Sequence, residues 1–151
     1  MTDDIRSMTA VTFTVPGKPA PQGSKSFKGF RNGRGVMVES SKEVGPWRER
    51  VALAAHNAMG GRNLFDGAVH AHLEFTMPRP KSAPKRSTPP AAKRPDIDKL
   101  ARACLDAISG VIICDDSQII ELRASKRIAK IGETPGVAIT VEPTTGQRSD
   151  Q

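Results

Sequence analysis

Tyrosine is absent from this 151-residue chain, tryptophan occurs once and phenylalanine five times. A core made from it must be mostly aliphatic. Cysteine occurs only at Cys104 and Cys114, too few for a disulfide framework, and neither a Cys-x-x-Cys pair nor Cys/His zinc spacing exists. Both thiols are expected to be buried. His56, His70 and His72 are the only histidines; His70 and His72 share a strand face and, without further ligands, read as ordinary strand residues. The spacing of a Walker phosphate loop is missing. No apolar run is long enough to span a membrane, and the acidic start Met1-Thr2-Asp3-Asp4 shows no signal peptide. The expectation is a reduced cytoplasm, with no membrane partner and no small-molecule cofactor.

Acid is also scarce. Sixteen Asp and Glu face 23 Lys and Arg, a net charge of +7. Residues 17–38 and 78–94 contain no acid at all. The first stretch carries Lys18, Lys25, Lys28, Arg31 and Arg34; the second carries Arg79, Lys81, Lys85, Arg86, Lys93 and Arg94. Arg123, Lys126, Arg127 and Lys130 form a third run. A polyanion is the expected partner, nucleic acid before an acidic membrane surface, and the segregation favours a binding surface over a merely solvated one. In 18–35, glycines free backbone amides, cations stand near them, and Phe27 and Phe30 interleave. Such a segment can grip phosphates and stack an unpaired base, or be only a flexible hairpin loop.

At this length the chain is one domain, expected over 10–142, with polar tails at 1–9 and 143–151. Alternation predicts strands at 10–15, 67–77, 118–128 and 136–141, with Val36-Met37-Val38 a short returning strand. Trp47, Val51, Leu53, Ala54, Ala55, Ala58 and Met59 predict a helix over about 43–59 with one apolar side. Six prolines within 78–95 exclude regular structure there and predict a basic, semi-extended loop, mobile without a partner. The order predicts an α+β fold, an α/β sandwich in which two main helices pack on a small mixed or antiparallel sheet.

Five of the sixteen carboxylates gather within residues 96–116. Pro95 and Asp96 mark a helix start. Leu100, Ala103, Cys104, Ala107 and Ile108 follow one helix face, and Ser109-Gly110 stops it. Asp98, Arg102 and Asp106 are four apart on the opposite face. After a short apolar run comes Asp115-Asp116. Carboxylates so placed can form an oxygen-only site for a hard cation such as Mg²⁺, which suits phosphate chemistry. Equally, Asp96 and Asp98 can be helix caps, Asp98 and Arg102 a surface ion pair, and Asp115-Asp116 a turn.

The segments Arg94-Pro95-Asp96-Ile97-Asp98-Lys99-Leu100, Leu105-Asp106-Ala107-Ile108 and Asp115-Asp116-Ser117-Gln118-Ile119 resemble the RusA family of Holliday junction resolvases. The resemblance covers about a third of the chain strongly, and the spacing of three separate pieces agrees. It implies a RusA-like fold and a homodimeric endodeoxyribonuclease, often carried by phages, that makes paired phosphodiester cuts in branched DNA during recombination and repair. By the resemblance Asp96, Asp98 and Asp116 are catalytic acids binding Mg²⁺, with Mn²⁺ as a substitute, and Asp115 assists as a ligand. Arg102 falls where the family has an important Lys, and Lys99 where it has Asn. Arginine keeps the charge and can clamp a phosphate, but is a poor proton donor. Lys18, Lys25, Arg31, Lys93 and Arg94 are the candidate DNA contacts. Two alternatives remain: a non-catalytic basic nucleic-acid-binding module, and a metal-dependent nuclease of other branch specificity.

Overall fold

The computed structural model describes residues 9–23, 25–31, 34–39 and 42–144, the hairpin 25–39 in its backbone alone. Nine elements follow in order: β1 (Val11–Pro16), β2 (Lys25–Arg31), β3 (Arg34–Glu39), α1 (Val44–Met59), β4 (Val69–Met77), α2 (Ile97–Ile108), a 3₁₀ turn (Asp116–Gln118), β5 (Ile119–Ile128) and β6 (Gly136–Pro143). The fold is α+β: a mixed four-stranded sheet in the order β1-β6-β4-β5, with two helices.

Register explains why one face of the sheet is apolar. Val11, Phe13 and Val15 of β1 pair with Val141, Ile139 and Val137 of β6, which pair with Ala71, Leu73 and Phe75 of β4. Side chains alternate across a strand, so these residues share a face. All are buried except the half-buried Phe13. The buried sides of both helices join them in a single cluster. The opposite face carries Thr12, Thr14, His70, His72, Glu74 and Thr140, none of them buried.

β4 and β5 run parallel. A parallel pair needs a long crossover, and here it comprises the proline-rich loop, α2 and the acidic turn. The crossover therefore leaves β4 at one end of the sheet, after Met77, and returns the chain to the other, where Ile119 pairs beside Val69.

Both helices lie close to their expected bounds. α1 buries Val44, Trp47, Val51, Ala55 and Met59. Leu53 departs from the expected apolar side: at 62% exposure it is solvent-facing, because two residues from Val51 is more than half a helical turn. α2 buries Leu100, Ala101, Ala103, Cys104, Ala107 and Ile108 and leaves Asp98, Arg102 and Asp106 exposed.

Two further expectations are corrected. Residues 25–31 and 34–39 pair as antiparallel strands, β2 with β3, where a glycine-rich loop and one short strand were expected. Cys114 is exposed while Cys104 is buried: Ile112 and Ile113 take the buried positions of the short apolar run, and the chain leaves the core at Cys114. The proline-rich loop is organised by Arg79. Its guanidinium donates to Ser87 O (2.6 Å), Thr88 Oγ1 (3.0 Å), Ala129 O (3.2 Å) and the Pro84 carbonyl. Prolines lack N–H donors, so the loop's carbonyls outnumber its own amides, and an arginine brings up to five donors. Among the described residues no helix is long and apolar enough to cross a membrane.

Candidate active site

The acidic helix begins at Asp96, whose extended backbone (φ −69°, ψ 139°) makes it the N-cap, yet its side chain makes no capping hydrogen bond. Its carboxylate stands 3.8 Å from Lys99 Nζ instead. Asp98, in the first turn, is exposed. The simple capping role is therefore not the one Asp96 plays. Asp115 does play it: its Oδ2 accepts the Ser117 N–H at 2.9 Å at the start of the 3₁₀ turn. The Ser117 side chain and backbone both favour the charged form, and hold the Asp115 carboxyl below its ordinary value.

At the other end of α2 the chain is turned back by Gly110, whose φ of 85° lies in the left-handed region. Gly110 N donates to Ile113 O at 2.7 Å, and Ile112 and Ile113 are fully buried beneath the turn. Asp116 is thereby returned to the helix it follows. The Ser109 hydroxyl contacts both Asp116 Oδ1 and the Leu105 carbonyl (2.9 Å). It has one proton to give, and the carboxylate is the stronger acceptor.

Gln118 locks this turn. Its Oε1 accepts the Cys114 N–H (2.7 Å) and the Asp115 N–H (2.9 Å); its Nε2 donates to Phe65 O (2.7 Å) and Gly67 O (2.8 Å). One amide thus uses both acceptor positions and both donors to tie the acidic turn to the segment before β4. With Asp115 it completes a capping box.

These elements enclose a recess of about 650 Å³ along the outer face of α2, lined by Gln22, Gly23, Asp98, Lys99, Arg102, Asp106 and Asp116. Asp98 and Asp106 are eight residues apart, about 12 Å along the axis. The carboxylates are strung along a groove, with Arg102 between them. A second recess of about 630 Å³ adjoins it, lined by Lys18, Pro19, Pro21, Gln22, Gly23, Lys42, Glu43, Arg94, Pro95, Asp96 and Lys99.

The walls are fixed from several directions. Gln22 N donates to Lys99 O at 2.9 Å, and Arg48 of α1 donates to Gln22 Oε1 at 3.0 Å while standing 3.9 Å from Asp106. Lys126 of β5 reaches across to the loop, donating to Lys93 O and Pro95 O, each at 2.8 Å. It thereby fixes the chain just before Asp96.

The expected site residues are distributed as follows. Asp98, Asp116 and Arg102 share the first recess, and Asp96 lines the second. Asp115 lines neither recess, its carboxylate being turned to the backbone of its own turn. Lys18 and Arg94 line the second recess, and Lys93 is exposed beside it in sequence. The side chains of Lys25 and Arg31 lie outside the described residues. Of the third basic run, Lys126 is turned inward and Arg127 is bound bidentately by Glu133 at 2.6 Å, so half of that run holds the fold together.

The side chains in the acidic recess that can ligate a metal as anions are all carboxylates, Asp98, Asp106 and Asp116, standing beside Lys99 and Arg102; such oxygen ligands suit a hard cation. Among the described residues no three His, Cys, Asp or Glu side chains converge as a metal-holding group. Magnesium is commonly held by one or two carboxylates, retained waters and substrate phosphates, rather than by a complete protein cage. The donor set fits that mode.

The family model for endodeoxyribonuclease RusA matches residues 16–142, most of the chain and all of the recess. The chain belongs to the RusA endodeoxyribonuclease family. It is also 30% identical over 128 residues to the uncharacterized protein YqaN of Bacillus subtilis (strain 168), an overlap covering 79% of this chain and 88% of that one. RusA proteins are Holliday junction-resolving endodeoxyribonucleases.

Sequence reasoning gave Arg48 no role, and gave Ser109 only that of a helix stop, Gln118 only a place in the motif and Lys126 only a place in a basic run. For Gln118 a signal was present: Asp115-x-x-Gln118 has capping-box spacing. Arg48 and Lys126 gave no local signal, since their partners are far away in the chain.

Proposed function

We propose that this chain is a Mg²⁺-dependent, structure-selective endodeoxyribonuclease that resolves Holliday junctions by paired cuts in DNA recombination and repair. It acts in the cytoplasm as a homodimer, as a phage protein would in its host, with residues 10–142 as the nuclease domain. The observation that carries the reading is the acidic recess. Three carboxylates from two separate elements, with one arginine among them, line a groove whose surroundings are basic, in a chain of the RusA family.

Asp98 and Asp116 are the principal ligands in this reading, with Asp96 beside them and Asp115 assisting. When bound, the ion supplies polarisation of a phosphoryl oxygen and a more acidic attacking water, with Mn²⁺ able to replace Mg²⁺. Arg102 hydrogen-bonds the non-bridging phosphate oxygens and stabilises the charge that develops on them. Ser109 and Gln118 keep Asp116 aimed into the groove. Lys18, Lys25, Arg31, Lys93 and Arg94 draw in the DNA backbone. Paired cuts follow from two-fold symmetry, which gives one groove per subunit on either side of a junction.

The test is a substrate panel. With Mg²⁺, a four-way junction should be cut by symmetric nicks while linear duplex of the same sequence stays intact. Preferential cutting of flaps or single strands would make it a nuclease of other specificity. Junction binding with no cutting in Mg²⁺ or Mn²⁺ would leave a non-catalytic DNA-binding module.

A further inference from the structure

Gln22, Gly23 and Lys99 line both recesses, so the acidic groove and its basic neighbour share one wall. The basic recess gathers Lys18, Lys42, Arg94 and Lys99 against two carboxylates, Glu43 and Asp96. Each carboxylate already faces a cation, Lys18 at 3.9 Å from Glu43 and Lys99 at 3.8 Å from Asp96. Among the described residues neither Lys42 nor Arg94 has an ion-pair partner. Among the described residues the recess thus holds two cations without a facing carboxylate.

Its frame is stiff. Pro19, Pro21 and Pro95 restrict the backbone around it. The Gln22 amide is fixed to Lys99 O and the Pro95 carbonyl to Lys126. Gly23 puts no side chain between the two recesses. Among the described residues no aromatic ring lines the basic recess, and exposed Lys and Arg chiefly meet phosphate rather than base edges. Successive phosphates of one strand advance about 3.4 Å along the duplex axis, and the two recesses share the wall formed by Gln22, Gly23 and Lys99. A strand with one phosphate in the acidic groove therefore presents its neighbouring phosphates within reach of this recess.

We propose that the basic recess is a backbone subsite, holding a phosphodiester of the same DNA strand one or two nucleotides from the phosphate that is cut. The proposal rests on the nuclease reading and extends it: Lys42 and Lys99 become contacts, and the strand acquires a path across the N-terminal end of α2. The subsite reads charge, not sequence. Lys42, two residues before α1 and exposed, is the natural probe because nothing in the core depends on it.

The experiment measures binding by fluorescence anisotropy to a four-way junction in EDTA, so that no chemistry is required. A single neutral methylphosphonate linkage is moved one phosphate at a time along the strand through the branch point. A neutral linkage at one or two adjacent positions should weaken wild-type binding about fivefold, the upper range for an exposed charge pair. Lys42→Ala should weaken binding to unmodified DNA by a similar factor, and Lys42→Arg should restore it. At the sensitive positions the variant and the neutral linkage together should be no worse than either alone, since both remove the same contact. Losses that multiply at every position, or Lys42→Ala binding as tightly as wild type, would overturn the proposal. Cleavage of the unmodified junction in Mg²⁺ is scored in parallel. A protein that cuts while its losses multiply loses the subsite and keeps the nuclease. One that shows position-specific coupling and never cuts keeps the phosphate site and loses the nuclease.

Discussion

Replacing Gln118 with Met should disturb the candidate active site while leaving the rest of the fold intact. The amide makes four hydrogen bonds, two from backbone N–H groups and two to backbone carbonyls. A typical intramolecular hydrogen bond contributes about 0.5–1.5 kcal/mol net, so four give about 2–6 kcal/mol. Gln118 is half-buried, and water can reach some of the orphaned groups, which places the expected loss near the lower end, about 2–3 kcal/mol. Methionine preserves volume and the apolar stem, so little of this comes from packing. The assay is urea unfolding, with the midpoint falling at unchanged slope. The functional signature is a split: Asp116 loses its fixed position, so junction cleavage at saturating protein falls far more than junction affinity. Gln118→Glu isolates the donor half, because it retains the acceptors for Cys114 N and Asp115 N but faces the Phe65 and Gly67 carbonyls with an anion. It should recover stability as the solution is acidified and that carboxyl protonates. A Met variant within 0.5 kcal/mol of wild type, or one whose binding and cleavage fall in parallel, would refute the idea that this amide positions the acidic turn.

Four other outcomes follow from the same structure. The Arg127 guanidinium holds the Glu133 carboxyl down to about 2 from an ordinary value near 4.5. A depressed acid contributes stability that is present above its unfolded value and lost as pH falls through the folded one, so Glu133→Gln should flatten the stability profile between about 4.5 and 2; an unchanged slope there would contradict the pairing. Burial pushes the Cys104 thiol up to about 12, with the Trp47 indole opposing it, while Cys114 is exposed, so a thiol reagent at pH 8 should titrate one fast cysteine per native chain and two after unfolding. Two fast thiols in the native protein would mean that α2 is not seated as described. Leu100→Ala, at a fully buried position on α2, should cost about 2–5 kcal/mol, whereas the solvent-facing Leu53→Ala should stay within about 0.5 kcal/mol; urea unfolding of the pair checks the orientation of both helices. Gly136→Ala would drive a Cβ into the Val15 carbonyl oxygen at the β1–β6 pairing, and should lower the melting temperature clearly; an unaltered melt would mean that the two strands are less closely placed there.

The parts of the fold legible in the sequence were those with a strong period and clear ends. α2 announced itself through Leu100, Ala103, Cys104, Ala107 and Ile108, with Asp96 before them and Gly110 after. β4 did so through strict alternation from Val69 to Met77. Less legible was whatever depends on distant partners. The parallel pairing of β4 with β5 is set by how the crossover packs, not by either strand's residues. Leu53 was grouped with the apolar side of α1 because hydrophobicity was read without its angle, and Cys114 was placed inside because the apolar run before it was read as continuing. The hairpin of β2 and β3 was hidden by the glycines and cations that disguise a strand. The lack of regular structure in the proline-rich loop was legible, but not that Arg79, one cation among many in sequence, bonds its carbonyls. For the candidate site, the motif picked out Asp96, Asp98, Asp115 and Asp116, but not that Asp115 turns its carboxylate back to cap its own turn, nor that Arg48, Ser109, Gln118 and Lys126 frame the groove.

The most direct measurement of the central claim is a comparison of wild type with Asp98→Asn on a four-way junction in Mg²⁺, following cleavage and binding in the same samples. The substitution keeps the size of the side chain, removes one charge, and lies on the exposed face of α2, where no core contact is disturbed. The account predicts symmetric nicks by the wild type, loss of those nicks by at least about a hundredfold in the variant, and junction binding that is unchanged or tighter. Equal cleavage by both proteins, or no cleavage by either across Mg²⁺ and Mn²⁺, would contradict it.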